Sequence, residues 1–364
     1  MALSIPQGGF EQLIPQIQRN CDLSDARYAG LYSVCGLALR LRDLYKWEKE
    51  LAPWVEKEPS EILDWIGRKE EAWEEIRDEP YQNLEMDSHQ FDPFDIQALN
   101  QLLHNQGLFY GAGYGRGLKP TFFLAEIQVE DQVHDTPVFI LGKEFARDLF
   151  AVPALTQDSS ILIRQQITEV YLWDQMVYIN KSGRRALDYA LNQMGLGEQD
   201  RTAWKSNLTE LTREVMGIYL HHEVGELSGD NIDREIWQEM IGVYPRSSIE
   251  LFARAIKDML ADTGSHGALK YILTERKPAS LGFYVAFMEG MHKSLFPEIV
   301  AAFSEFVKHE DWNFIERAVK IGFEKARDLA DRMIALFQQG KQRQDLKWAE
   351  EALVNQLIKP LTTG

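Results

Sequence analysis

Cysteine is scarce in this chain. Cys21 and Cys35 are its two thiols in 364 residues, too few for a disulfide framework and in keeping with a reducing, cytoplasmic setting. Cys35, inside the apolar run Leu31 to Leu41, reads as a small buried hydrophobe, and Cys21 sits at a helix entrance beside Asn20 and Asp22. Positive charge is also short: 39 Lys+Arg against 56 Asp+Glu leave a formal net charge of −17, which argues against a nucleic-acid partner tracked through its phosphates. Long hydrophobic runs are missing, since Leu31 to Leu41 comes closest to a membrane span and is broken by Arg40 and Arg42. Met1 to Gly9 lack the basic start and apolar stretch of a signal peptide, so the chain is expected to be soluble, unexported and without a membrane partner. There is no Gly-Lys-Ser/Thr phosphate loop, no serine elbow, no kinase signature and no Cys/His pair at ligand spacing.

What is present is an ordinary globular composition, 45% hydrophobic and 26% charged, in a chain long enough for one large or two ordinary domains. A polar cap at Ser24 with Asp25 in the first turn predicts a helix whose apolar residues Tyr28, Leu31, Val34, Cys35, Ala38, Leu41 and Tyr45 keep helical spacing. A second helix follows Pro59, lines up Ile62, Trp65, Ile66, Trp73 and Ile76, and stops at Pro80; a shorter one spans Asp95 to His104. The glycine-rich stretch Gly107 to Gly117 precedes a strand instead of following one and opening a helix. It is therefore expected to be a loop joining helix to hairpin, able to line a pocket, and no phosphate cradle. Period-two alternation over Thr121 to Val129 and Thr136 to Leu141 predicts a β-hairpin, with Ser160 to Ile163 as a third strand.

After Gln165 the pattern returns to helices, among them 201–227, 247–261, 279–296, 312–337 and 343–358. The expected fold is thus mainly α, a multi-helix protein with one small antiparallel sheet near 119–165. The division expected is an N-terminal region 1–166 carrying the sheet and an all-helical C-terminal region 167–364, set apart by a change in texture.

One group of residues points to chemistry. In the helix 201–227 the apolar stripe Trp204, Leu208, Leu211, Val215 and Ile218 continues into His222 and Glu226, which puts a carboxylate on the core side, where it needs a partner, a proton or a cation. His222 and Glu226 are an i, i+4 pair that a single metal ion can bridge, with Glu223 and His221 on its flanks. The helix 279–296 is apolar almost all round, and its Glu289 and His292 are spaced i, i+3, the spacing that delivers a carboxylate and an imidazole to one ion. A divalent metal, zinc first, held by His222, Glu226, Glu289 and His292 is the sharper reading. An ion-pair network without metal, with Glu289 neutralised by Arg254 or Arg276, is the blander one. Asp174, in an apolar run, is a further buried carboxylate and candidate ligand.

The string Leu220-His221-His222-Glu223-Val224-Gly225-Glu226-Leu227 resembles the active-site helix of zinc-dependent metallopeptidases, His-Glu-x-x-His, with Glu226 standing where the second His belongs. The resemblance implies His222 as zinc ligand, Glu223 as the general base that activates water, and Glu289 as a downstream carboxylate ligand. Leu39-Arg40-Leu41-Arg42-Asp43-Leu44-Tyr45-Lys46-Trp47-Glu48 is similar to an uncharacterised family of bacterial proteins, which implies no activity. Two functions follow: a metal-dependent hydrolase acting on an unknown small molecule, or a non-catalytic helical interaction or scaffold protein. The second would use an acidic surface and nine tryptophans to hold a protein partner, with the His/Glu cluster serving only the core.

Overall fold

The computed structural model describes residues 10–86, 89–197, 201–228 and 232–362. The protein is mainly α, and it divides into two compact units, Met1–Asp174 and Gln175–Gly364.

In the first unit, helix α1 (Leu13–Tyr28) begins well before Ser24. Its buried face runs Leu13, Ile17, Asn20, Cys21, Ser24, and the polar members of that stripe mask the helical period in the sequence. Asn20 is there because its side chain both donates to Gln82 O and accepts from Gln82 N, at 2.8 Å each. The helix expected from Ser24 is therefore two helices: the chain leaves α1 through a 3-10 turn, and Ser33, accepting from Gly36 N at 3.2 Å, caps α2 (Val34–Glu48). Burial in α2 starts only at Leu41, so Val34 is 87% exposed and Cys35 is exposed too, contrary to its apolar surroundings in sequence. Cys21 is the buried thiol, with Sγ 3.2 Å from Phe122 O. Helix α3 (Pro59–Ile76) follows, then a short hairpin of β1 (Leu84–Met86) and β2 (His89–Phe91), then α4 (Ile96–Leu103).

The glycine-rich stretch is a strand and not the expected loop. β3 (Leu108–Tyr114) pairs antiparallel with β4 (Pro120–Val133), bringing Gly111 opposite Phe123. A Cβ on Gly111 would lie 2.1 Å from the Phe123 ring, so the glycine answers to close packing inside a sheet. β3 is an edge strand, and the buried Asn100 side chain of α4 covers it by accepting from Tyr110 N (2.8 Å) and donating to Tyr110 O (2.9 Å). β4 and β5 (Thr136–Arg147) form the expected hairpin, extended to a tight turn in which His134 and Asp135 take φ of 48° and 64°. β6 (Ala154–Gln157) and β7 (Ser160–Arg164) complete a five-stranded sheet in the order β3-β4-β5-β7-β6. Because β7 runs parallel to β5, this sheet is mixed and larger than the three antiparallel strands read from the sequence.

Helix α5 (Gln165–Val177) spans the division between the units. The second unit is helical: α6 (Arg184–Gln193), α7 (Arg201–Ser206), α8 (Leu208–Leu227), α9 (Arg234–Val243), α10 (Ser248–Thr263), α11 (Ala268–Thr274), α12 (Pro278–Ala286), α13 (Gly290–Leu295), α14 (Pro297–His309), α15 (Asn313–Gln342), α16 (Leu346–Leu353) and α17 (Lys359–Thr362). Segment 201–227 is thus interrupted at Asn207. Segment 279–296 breaks between Ala286 and Gly290, whose φ of +53° is a left-handed value. α10 sits at the centre, packed against α8, α13 and α15. Its approach to α8 depends on Gly225, where a Cβ would stand 2.1 Å from Ala261 O.

Charge is buried in the first unit under strict pairing. Lys119, 1% exposed, places Nζ 3.0 Å from both Asp25 Oδ1 and Asp148 Oδ2, and neither carboxylate is accessible. Burial pushes the Asp25 carboxyl up to about 7 against the pull of Lys119, and Asp148 adds to the push. Asp25 also accepts from Leu149 N, and Asp148 from Phe122 N and Phe150 N, so the trio ties α1 to β4 and to the chain beyond β5. Lys119→Met leaves two carboxylates without their cation and is expected to cost about 3–5 kcal/mol. Urea denaturation measures this, and a variant as stable as the wild type would show that the trio does not hold these elements together.

Candidate metal centre

The buried stripe of α8, Leu208, Leu211, Val215 and Ile218, sets the phase of the helix so that His222 and Glu226 meet α10. On α10, Ala255, Met259 and Asp262 are spaced i, i+4, i+7 along the buried side, and Asp258 lies one turn before Asp262. His222 Nδ1 is 2.8 Å from Asp262 Oδ1, and Tyr284 of α12 donates its hydroxyl to Asp262 Oδ2 at 2.9 Å. With Nδ1 taken, His222 presents Nε2 on the opposite side of the ring, 3.6 Å from Glu226 Oε1. His222, Glu226 and Asp258 each offer one ligand atom, and these atoms all lie within 4.8 Å of one another. This half-buried group can coordinate a divalent metal ion.

Burial and charge oppose each other across the group. Burial works against a charged ring at His222, yet the Asp262 carboxylate and the contact with Glu226 outweigh it and lift the His222 pKa well above the ordinary value. Burial also opposes ionisation of Glu226, but His222 and Lys257 hold its carboxyl down to about 2. Asp258 is pushed up, chiefly by burial, which His222 and His292 offset only in part. Glu226, Asp258 and Asp262 thus face His222, His292 and Lys257, the last in contact with Glu226 through Nζ and Oε2. His292 Nε2 is buried without a hydrogen-bond partner, 3.8 Å from Asp262 Oδ2.

The residues expected from the sequence fall into place unevenly. His222 and Glu226 come together, and His292 stands next to the carboxylate behind His222. Glu223 is half-buried on α8, the residue after His222, and the His221 ring stacks on Tyr271 with centroids 4.1 Å apart. Glu289 is elsewhere: the helix that was to bring it onto one face with His292 is broken, and Glu289 is the extended residue that precedes α13. It is exposed and accepts from Asn180 Nδ2 at 2.6 Å, and it is not in the ligand group found among the described residues. Arg254 bonds Glu250, while Arg276 lies over the Trp312 ring, so neither arginine needs Glu289. Asp174 contacts Arg42 in the first unit and is not in the ligand group found among the described residues. Asp258 and Asp262 escape the sequence reading, which ends this helix at 261 and so leaves Asp262 outside it, whereas α10 runs on to Thr263. The signal was an aspartate at the next position of the stripe Ala255, Met259.

Models of the two domains of a family of unknown function, DUF6866, match this chain: the N-terminal domain over residues 12–164 and the C-terminal domain over residues 169–356. The chain belongs to this family. No curated protein and no solved structure matches it. The candidate centre lies wholly within the span of the DUF6866 C-terminal domain. Its helix departs from the His-Glu-x-x-His pattern at Glu226, and its third ligand, Asp258, comes from α10. Among the described residues no helix is long and apolar enough to cross a membrane.

The Asp262–His222 contact generates a pH signature. A histidine whose folded pKa is raised adds stability that is complete below its unfolded value, about 6.5, and is lost as the pH rises through the folded value. In chelator, wild type should therefore exceed Asp262→Asn in denaturation free energy most at about pH 5 to 6.5 and progressively less above it. A gap that stays level or widens with pH would show that Asp262 does not carry the His222 charge.

Proposed function

We propose that the protein is a divalent-metal protein of the cytoplasm in which His222, Glu226 and Asp258 hold the ion, and that this ion serves a hydrolytic reaction. The observation that carries the reading is the convergence of three donor atoms within 4.8 Å, with the histidine oriented from behind by Asp262. Three protein ligands leave coordination positions for water and substrate, and a divalent ion there polarises either one. Zinc accepts one imidazole and two carboxylates and is the first candidate, with manganese or iron next because two of the three donors are oxygens. Glu223, adjacent to His222, is the proton acceptor in this reading, and His292 steadies Asp262. Glu289, bonded to Asn180, takes no part in it.

A second reading is favoured by one observation: Lys257 already contacts Glu226, and Tyr284 already donates to Asp262, so the cluster can serve as a polar core without metal. The non-catalytic, partner-holding protein is the function that goes with it.

Metal analysis of protein purified without chelator separates the two. About one ion per chain is expected. His222→Ala and Asp258→Asn should lose it, and wild-type affinity should rise with pH because binding must release the His222 proton. Glu223→Gln should keep the metal while losing hydrolysis of ester, amide and peptide panels. A wild-type protein that takes up no zinc, manganese or iron would reject the metal reading. Metal without hydrolysis would reject the enzyme alone.

A further inference from the structure

Glu226 has an internal cation. Lys257 Nζ touches Glu226 Oε2, and Lys257 precedes the ligand Asp258 on α10, so the ammonium is tethered beside two of the three donors of the proposed metal site. Its side chain is 23% exposed, and the Nζ also lies 5.2 Å from the Trp237 ring centroid. A divalent ion bound through Glu226 brings two positive charges against the same carboxylate. At such separations, in surroundings only partly wetted, like charges repel strongly, so an ion and the ammonium compete for the charge of the Glu226 carboxylate. The indole face offers the displaced ammonium a favourable position without leaving the neighbourhood.

We propose that Lys257 is a tethered competitor for the metal position, the residue that sets how tightly the site takes a divalent cation. This rests on the metal reading above. Without an ion, Lys257 compensates Glu226 and lets the acidic cluster fold. When an ion binds, Lys257 gives up that contact and swings toward Trp237, so the measured affinity is the intrinsic affinity reduced by the cost of that displacement. Arg254, 5.4 Å from the same ring, is held by Glu250 and does not substitute for it.

The test uses the full chain stripped with chelator and then titrated calorimetrically with zinc and with manganese. Lys257→Met should tighten binding of both ions on the order of tenfold, equal to about 1.4 kcal/mol. Lys257→Arg keeps the charge and should stay within about twofold of wild type. If Lys257→Met does not fold by circular dichroism, Lys257→Gln makes the same comparison. Wild type binding metal while the neutral variants bind no tighter overturns the inference and leaves the metal reading standing. A neutral variant that binds where wild type does not supports the competitor and rejects the reading for the native chain. If neither binds, both fall.

Discussion

A carboxyl group with 5% of its side chain exposed needs hydrogen-bond partners, and at Asp262 the helices α8, α10 and α12 meet that constraint together. Tyr284 supplies one hydrogen bond and His222 Nδ1 another, while His292 stands within 3.8 Å. Burial, with Asp262 next to it, drives the Tyr284 hydroxyl well above its usual range, so that it stays a donor. Because Asp262 uses Nδ1 of His222, the ring is fixed in one orientation and its other nitrogen faces Glu226. Gly225 is the backbone condition for this contact: any side chain there would push into the Ala261 carbonyl and part α8 from α10 by more than a hydrogen bond tolerates. The Gly that in sequence looks like a piece of a peptidase motif thus has a packing reason of its own.

The two units treat buried charge differently. In the first, each buried carboxylate faces a Lys or Arg: Asp25 and Asp148 share Lys119, Glu144 meets Arg164 at 2.6 Å, and Asp43 and Asp174 share Arg42. These are stoichiometries of fold maintenance, since removing one partner leaves a stranded charge and replacing the whole set does not. Around His222 three acids, Glu226, Asp258 and Asp262, face one lysine, Lys257, and two histidines, His222 and His292. Where the first unit pairs its acids with lysine and arginine, this cluster relies mostly on histidine.

Helical phase made the half of the site on α8 legible in the sequence. Trp204 through Ile218 repeat apolar residues in steps of four and three, and the next positions of that repeat had to be core-facing whatever their chemistry. The other half was hidden by two physical effects. Asp262 completes a stripe in the last turn of α10, where an acid looks like a solvated helix end. Glu289 and His292 were read across a helix that stops at Ala286 and restarts at Gly290, a break that apolar composition alone does not announce. The same limits apply to the fold. Asn20, Ser24 and Asp25 gave α1 a polar stripe because their partners lie on distant segments, and Gly107 to Gly117 reads as a loop until Phe123 is placed against Gly111. Long-range pairing, which no local window contains, decided each of these.

Glu226 stands where a His-Glu-x-x-His pattern has its second histidine, and that difference concerns more than one ligand. A neutral imidazole at that position would leave the site with one negative charge at Asp258 and no reason to hold a lysine nearby. A glutamate adds a negative charge on α8, and Lys257 on α10 answers it directly. The pair joins α8 to α10 through opposite charges, a contact that an uncharged histidine would not make with a lysine. It also exchanges a nitrogen donor for an oxygen donor, moving the set toward harder cations than a two-histidine site selects. The donor type that the cluster can offer and the contact between α8 and α10 therefore depend on the same residue while Glu226 and Lys257 face each other.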